Sequence, residues 1–300
     1  MNQNKKVINV LLIIIMILVV IGCIVSYLYF VEVDEEENPN ILFNIEDYPK
    51  VDGSIATLKM AEEFKSKLTG EKIENVNIVH TKTENAYENL INKKVDLILV
   101  TYPTEKETVK AQEAGIELEI VPVAKDALLF FTNKDNKVEN LTLTQIQDIY
   151  SGKITNWRDV GGDDITITPY QRPSTSDSQK VMLTSVMQGI KMKEPETQNI
   201  DMWKLSNIIT DYTNSQGAIG YCLNYYKILY NTEELKFLTV NDVEPTYDNV
   251  RTGLYGLQAE YYAVIRKDEP ENSNTRKLLN AMTSKYGQNI VKEAGYVQVD

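Results

Sequence analysis

Apolar residues recur along this chain at the two spacings that distinguish helices from strands. Between Ile55 and Leu68 they fall every three or four positions, which predicts a helix with one buried face. The run Val95–Val100 is almost continuously apolar, which is typical of a strand covered on both faces. Strands are also predicted at Val76–Val79 and at Ile165–Thr168, where apolar and polar residues alternate. We interpret this pattern as an open α/β sheet.

The middle of the chain carries signals for two more strands and for both ends of a helix. The segments Glu117–Ala124 and Ala127–Asn133 are predicted to be two separate strands. Thr142, with Gln145 three residues later, predicts a capping box at the start of a helix. Gly152 suits the left-handed turn that ends a helix.

A polar turn after the predicted strand Ile165–Thr168 carries the first candidate binding group. It holds Arg172 and a cluster of hydroxyls, and a helix is predicted to follow, with apolar residues between Val181 and Ile190. A guanidinium, hydroxyls and free N–H groups at a helix start suit an oxyanion, because the dipole and the donors both favour negative charge. A plain N-cap with a polar turn has the same composition. The hydroxyl residues of this turn are Ser174, Thr175, Ser176 and Ser178.

A second group of polar residues stands where two strands of the first half end. Gly53 and Ser54 precede the predicted helix, and Thr57 lies in its first turn. Thr101 and Tyr102 follow the buried strand, and ligands of open α/β sheets bind beyond the carboxyl ends of the strands. These residues are therefore candidates for the same cleft, although a helix cap and a surface turn would account for them equally well.

The N-terminal segment predicts a membrane anchor. Val10–Phe30 contains 21 residues without a charge, and as a helix it would span about 32 Å, close to the roughly 30 Å of a bilayer core. Lys5 and Lys6 precede it and an acidic stretch follows, so we expect the folded domain on the extracellular side of the cell membrane. Alternatively, Cys23 ends a lipoprotein signal and carries a lipid. Residues 1–30 are then the anchor or signal, and 31–43 an acidic linker.

Three motifs in order resemble the phosphate-binding proteins of ABC importers, a branch of the type II periplasmic-binding-protein superfamily. They are Tyr150–Trp157, Pro169–Arg172 and Ser176–Gln179, and Ser215–Tyr221 is similar to a later turn of the family. The resemblance implies an α/β protein with two lobes, whose mixed sheets are joined by two crossing strands. By this resemblance residues 44–123 and 254–300 form lobe 1, and 124–253 form lobe 2.

The resemblance also implies a function and a set of binding residues. A small oxyanion such as phosphate is captured between the lobes and passed to an ABC permease in the membrane. We expect a monomer without enzymatic activity and without a cofactor. The ligand-binding residues implied are Ser54, Ile55, Thr57, Thr101, Tyr102, Arg172, Ser176, Asp177 and Ser178.

Two departures from the family pattern leave the ligand open. Asp177 stands between two serines where the family commonly has glycine, and a carboxylate repels an anion unless it points away or accepts a proton. Thr101–Tyr102 offers no carboxylate where some relatives place a proton acceptor. Either Asp177 takes over as the acceptor for a protonated oxyanion, or the ligand is not phosphate and Asp177 with Tyr102 binds an amine or hydroxyl.

Composition argues against several other functions. The chain has one histidine, His80, and two cysteines far apart, so neither a histidine-based catalytic triad nor a zinc site is indicated. The net charge of −12 disfavours nucleic-acid binding, which requires a basic face. A membrane-tethered sensor for another small ligand remains the alternative, because a fold alone does not assign a function.

Overall fold

The computed structural model describes residues 41–194, 204, 205, 207, 209, 216–229 and 233–299. The predicted membrane segment, Cys23 and nearly all of the acidic linker lie outside these residues. Within the described part of the chain, no helix is both long enough and apolar enough to cross a membrane. Residues 41–300 form one compact unit, and the description below concerns that unit alone.

The described strands form two sheets. The larger sheet has the order β1-β2-β9-β3-β6-β5, with β7 also paired to β3, and the smaller sheet pairs β4 with β8. The strands are β1 (Val51–Gly53), β2 (Leu97–Val100), β3 (Leu118–Asn133), β4 (Asn140–Leu141), β5 (Thr168–Pro169), β6 (Ala218–Leu223), β7 (Leu235–Phe237), β8 (Thr239–Val240) and β9 (Gln258–Arg266).

Helices cover this sheet, and short 3-10 turns at Ile45–Asp47, Ile55–Thr57, Ile73–Asn75 and Trp157–Val160 connect them. The first long helix ends at Gly70, which takes the left-handed conformation, φ 73°. The helices are α1 (Leu58–Thr69), α2 (Thr83–Ile91), α3 (Glu105–Glu113), α4 (Leu143–Ser151), α5 (Asp177–Val181), α6 (Asn224–Leu229), α7 (Tyr247–Arg251), α8 (Asn274–Thr283) and α9 (Lys285–Glu293).

One strand, β3, belongs to both lobes of the α/β fold. Its first half, Leu118–Ala127, pairs with β9, and its second half, Leu128–Asn133, pairs with β6 and β7. The first lobe therefore contains β1, β2 and β9, and the second contains β5, β6 and β7. The prediction of two strand segments is wrong here, because the ladder continues through Lys125 and Asp126, and the only irregularity is a bulge between Pro122 and Ala124.

The second crossing between the lobes differs from the expected strand. The chain returns from α7 through a turn and loop and becomes a strand only at Gln258. The loop is held to β3 by the backbone N–H of Leu128, which donates to the carbonyl of Leu257 at 2.9 Å. The Tyr255 hydroxyl donates to the Leu128 carbonyl at 2.7 Å. The two crossings thus lie side by side although only one is a continuous strand.

Three shorter predictions also need correction. Val76–Val79 is not a strand, because no neighbouring strand pairs with it and Val79 is 71% exposed. Of Ile165–Thr168, only Thr168 enters β5, which pairs with the start of β6. The helix expected through Ile190 is α-helical only in α5; a π-helix, Met182–Met187, follows and ends the helical stretch.

Candidate functional site

The turn after β1 is held against the end of β2. The Ser54 N–H donates to the Leu99 carbonyl at 2.9 Å, and the Thr57 hydroxyl donates to the same carbonyl at 2.7 Å. A Cβ on Gly53 would lie 2.4 Å from that carbonyl oxygen, so only glycine fits this position. The close approach fixes Ser54, which is buried, at the carboxyl edge of the sheet.

His80 supports the Ser54 turn from behind. Its Nδ1 lies 2.6 Å from the Ser54 carbonyl, and because a carbonyl only accepts, Nδ1 carries the proton. Burial lowers the pKa of His80, so the ring is neutral at pH 7. The Nε2 atom is buried and has no hydrogen-bond partner in the described structure. His80, the only histidine of the chain, thus positions the Ser54 turn through Nδ1.

Hydroxyls from three separate segments of the first lobe converge on Asp177, the first residue of α5. The Thr83 hydroxyl, at the start of α2, donates to Asp177 Oδ1 at 3.1 Å. The Thr101 hydroxyl, just after β2, donates to the same oxygen at 3.3 Å. The Ser54 hydroxyl lowers the pKa of this same carboxyl.

The Asp177 carboxyl is deeply buried, with 8% of the residue exposed. Burial raises its pKa above the ordinary value, while the charge of Lys180 and the three hydroxyls lower it. The carboxylate is thus held by neutral donors, and no ion pair within 4.0 Å joins it to a cation among the described residues. Because it belongs to the second lobe, its hydrogen bonds span the cleft between the lobes.

Arg172 is a buried cation whose guanidinium is largely unpaired. Only 4% of the residue is exposed, and Nε and Nη1 have no hydrogen-bond partner among the described residues. The guanidinium lies over the ring of Tyr226, 5.6 Å from its centroid. A charged group in such a position is costly unless it meets a partner of opposite charge. Arg172 is therefore a buried positive charge of the second lobe that forms no ion pair with a described residue.

The backbone around Arg172 is fixed by a buried polar network. Its N–H is shared between Gln179 Oε1 and the Tyr221 hydroxyl, each at 3.2 Å, and these two side chains also bond to each other. Tyr221 lies in the middle of β6, and Gln179 lies in α5. The same strand and helix that build the second lobe thus aim the arginine.

Other residues of the predicted site are placed around this centre with different roles. The Thr57 hydroxyl is bonded to backbone, as described above, and the Ser178 hydroxyl accepts from the Leu223 N–H at 3.3 Å. The Ser176 hydroxyl makes no hydrogen bond within the described residues and is half-buried. Ile55 is exposed at the first turn. Tyr102 is 60% exposed and packs against the ring of Tyr262 at 5.4 Å, so it lies at the rim.

A cavity of about 420 Å³ opens between the starts of α2 and α3 and the turn before α5, and Lys180 of α5 contributes to its lining. Three lysines line it, Lys82, Lys106 and Lys180. Lys106 pairs with Glu84 at 2.5 Å, and no ion pair to a described residue is seen for the other two. Glu84 and Glu107 line the same cavity, so its wall carries charges of both signs.

Thr83 and Tyr226 belong to the site but were not predicted from the sequence. Thr83 is the first residue of α2, and a hydroxyl at a helix start is a signal that the sequence offers. Nothing in the sequence around Tyr226 indicates a ring beneath a guanidinium 54 positions earlier. Among the described residues, no cluster of His, Cys, Asp or Glu could hold a metal ion.

The fold and the cleft between its lobes agree with comparisons to known proteins. The chain belongs to the family described as the PBP superfamily domain, whose profile matches residues 53–288. It is also similar to a crystal structure from Clostridium perfringens of a candidate phosphate ABC transporter substrate-binding protein with bound phosphate. That similarity has a TM-score of 0.66 and 25% identity, and it covers 83% of this chain and 98% of the other.

Curated relatives share part of the sequence. Over 183 residues the chain is 29% identical to the phosphate-binding protein PstS of Borreliella burgdorferi, which covers 59% of this chain and 64% of that protein. Over 199 residues it is 27% identical to PstS of Bacillus subtilis, covering 66% and 62% respectively. The matched region thus spans less than two thirds of either relative.

Proposed function

We propose that this chain is an extracellular substrate-binding protein that captures phosphate, or a similar small oxyanion, for an ABC importer. The two PstS relatives and the Clostridium perfringens protein support this proposal, because all three are named as proteins that bind phosphate or serve a phosphate ABC transporter. The family supports a binding protein rather than an enzyme. The alignment with a phosphate-bound structure covers almost all of that chain, which favours binding between the lobes.

The observation that carries the proposal is the unpaired guanidinium of Arg172. A buried arginine normally forms ion pairs or hydrogen bonds, because desolvation without a partner costs several kcal/mol. Its planar set of donors matches the oxygens of a phosphate group in a bidentate arrangement. An oxyanion in the cleft would supply the missing charge and accept the bonds of Nε and Nη1.

Arg172 and the hydroxyls at the cleft would together surround the ligand. Ser54 and Thr101 face the cleft from the first lobe, and Thr83 adds a third hydroxyl there. Ser176 has a hydroxyl available in the second lobe. We retain the other residues implied by the family, at the turns around these donors, as part of the proposal: Ile55, Thr57, Tyr102, Asp177 and Ser178.

The domain boundaries and the cellular context are also part of the proposal. Lobe 1 would comprise residues 44–123 and 254–300, and lobe 2 residues 124–253, with closure as a hinge motion about the two crossings. Residues 1–30 would anchor the protein to the cell membrane, as an uncleaved helix or through a lipid on Cys23. The domain would then act outside the cell as a monomer and deliver the ligand to a permease.

Calorimetric titration of the full chain in detergent with phosphate and with sulfate tests this function. We expect binding of phosphate with one site and loss of that binding in Arg172→Ala. Arg158→Ala is a matched control, because Arg158 is exposed and pairs with Asp164 on the surface. Equal phosphate binding by all three proteins, or no binding by the unmodified chain, would contradict the proposal.

A further inference from the structure

The Asp177 carboxylate occupies the position at which an anion would meet the first lobe. The hydroxyls of Thr83 and Thr101 donate to it, and the Ser54 hydroxyl lowers the pKa of the same carboxyl. A hydroxyl has a single proton to donate, so a hydroxyl that donates to Asp177 has no proton left for a ligand. The donors of the first lobe are therefore already in use.

We propose that the Asp177 carboxylate is an internal competitor for the oxyanion site, which holds the hydroxyls of the first lobe until a bound oxyanion displaces it. This inference rests on the proposed function and adds a control of affinity at the same site. Asp177 then weakens phosphate binding, which is the opposite of the effect of a residue that accepts a proton from the ligand.

Electrostatics explain why the carboxylate and the ligand exclude each other. Two negative groups at the same donors repel strongly in a buried site, because the low dielectric does not screen them. Arg172 cannot relieve this repulsion in the structure, since no ion pair within 4.0 Å joins it to Asp177. An incoming oxyanion can pair with Arg172, whereas the carboxylate does not. This additional ion pair allows the ligand to displace the carboxylate from the hydroxyl donors.

The structure also offers a place for the displaced carboxylate. The cavity described above is lined by Lys180, three residues after Asp177 on the same helical stretch, by Lys82 and Lys106, and also by the carboxylates of Glu84 and Glu107. The positive charge of Lys180 lowers the pKa of the Asp177 carboxyl. A rotation of the Asp177 side chain toward Lys180 would exchange its neutral hydroxyl donors for a cation.

The hydrogen bonds of Asp177 further connect the two lobes without a ligand. Asp177 begins α5 in the second lobe, whereas Thr83 and Thr101 belong to the first. The carboxylate thus links the second lobe, to which it belongs, to hydroxyls of the first lobe, as a ligand bound between the lobes would link them. Removing it frees the donors and removes this internal bridge.

Phosphate titrations of the full chain and of Asp177→Ala and Asp177→Gly test the inference. We expect either variant to bind phosphate about tenfold more tightly than the unmodified chain, or more, because the hydroxyls become available. Asp268→Ala is the matched control: Asp268 is exposed in the turn after β9, so its loss changes the net charge by the same amount. Thermal unfolding of each variant confirms folding, and if the alanine variant does not fold, the glycine variant decides.

The outcomes separate the inference from the proposed function. Phosphate binding by the unmodified chain, with equal or weaker binding by the Asp177 variants, would overturn the inference and leave the function standing. Tighter binding by the variants that disappears when Arg172→Ala is added would support both. Absence of phosphate binding in every protein would overturn both. An equal rise of phosphate affinity in Asp268→Ala and in Asp177→Ala would overturn the inference, since the change in net charge would then explain the tighter binding.

Discussion

The hydroxyl of Thr83 donates a hydrogen bond to the carboxylate of Asp177 at 3.1 Å, and 94 positions of sequence separate the two residues. Thr83 begins a helix of the first lobe and Asp177 begins a helix of the second. The hydrogen bond therefore joins the two lobes directly, and both of its partners are buried.

Replacing Thr83 with valine should destabilise the protein, whereas serine should largely preserve stability. Valine has nearly the shape of threonine but cannot donate, so the buried carboxylate of Asp177 would lose one of its hydroxyl donors. A lost bond to a charged group costs about 1.5–3 kcal/mol. Urea denaturation measures the difference. Equal free energies of unfolding for Thr83→Val and Thr83→Ser would show that the hydrogen bond does not contribute.

Gly53→Ala should destabilise the first lobe by about 2 kcal/mol or more, because the new Cβ would lie 2.4 Å from the Leu99 carbonyl oxygen. That carbonyl also binds the Ser54 N–H and the Thr57 hydroxyl, so the turn itself must shift. Gly256→Ala is the control, since a Cβ there meets nothing within 4 Å. Thermal unfolding should show a clear loss for the first variant only; similar melting temperatures for the two would contradict the geometry.

The stability of the protein should depend on pH through Asp126, which lies at the crossing on β3. Burial raises the pKa of this carboxyl from 3.8 to about 7. Between these values the folded state binds more protons than the unfolded state, so this group makes the free energy of unfolding fall as pH rises from about 4 to about 7. One proton corresponds to a slope of about 1.4 kcal/mol per pH unit.

Asp126→Asn tests this pH dependence because the amide does not titrate. Chemical denaturation at several pH values from about 4 to 7 should give a flatter profile for the variant than for the unmodified chain. The variant keeps an oxygen that can accept from the Ala127 N–H, now at 2.8 Å. Asp268→Asn, on the surface, should leave the slope unchanged. Parallel profiles for Asp126→Asn and the unmodified chain would show that a group other than Asp126 causes the pH dependence of stability.

Local signals in the sequence predicted the parts of the fold that depend on neighbouring residues. The capping box of Thr142 and Gln145 is present in both directions, and Gly152 takes the left-handed conformation, φ 84°. The strand within Val95–Val100 is buried throughout β2. These features depend on a few adjacent side chains, so the sequence alone was sufficient to find them.

Features that depend on distant partners were not predictable in the same way. Val76–Val79 has alternating exposure but no strand to pair with, and periodicity cannot show whether a partner exists. β3 continues through Lys125–Asp126 because β9 pairs with its first half and β6 takes over the ladder just after it. The same limit applies to the site: Arg172 was identified from the chemistry of its turn and Asp177 from the family resemblance, but the contacts of each side chain became visible only in the fold.

Equilibrium dialysis of the full chain against labelled phosphate tests whether Arg172 binds an oxyanion in the cleft. We expect the unmodified chain to retain about one phosphate per protein at saturation and Arg172→Ala to retain none, while Arg158→Ala behaves as the unmodified chain. Retention of phosphate by Arg172→Ala at the same level as by the unmodified chain would contradict the claim, because the buried guanidinium would then play no part in binding.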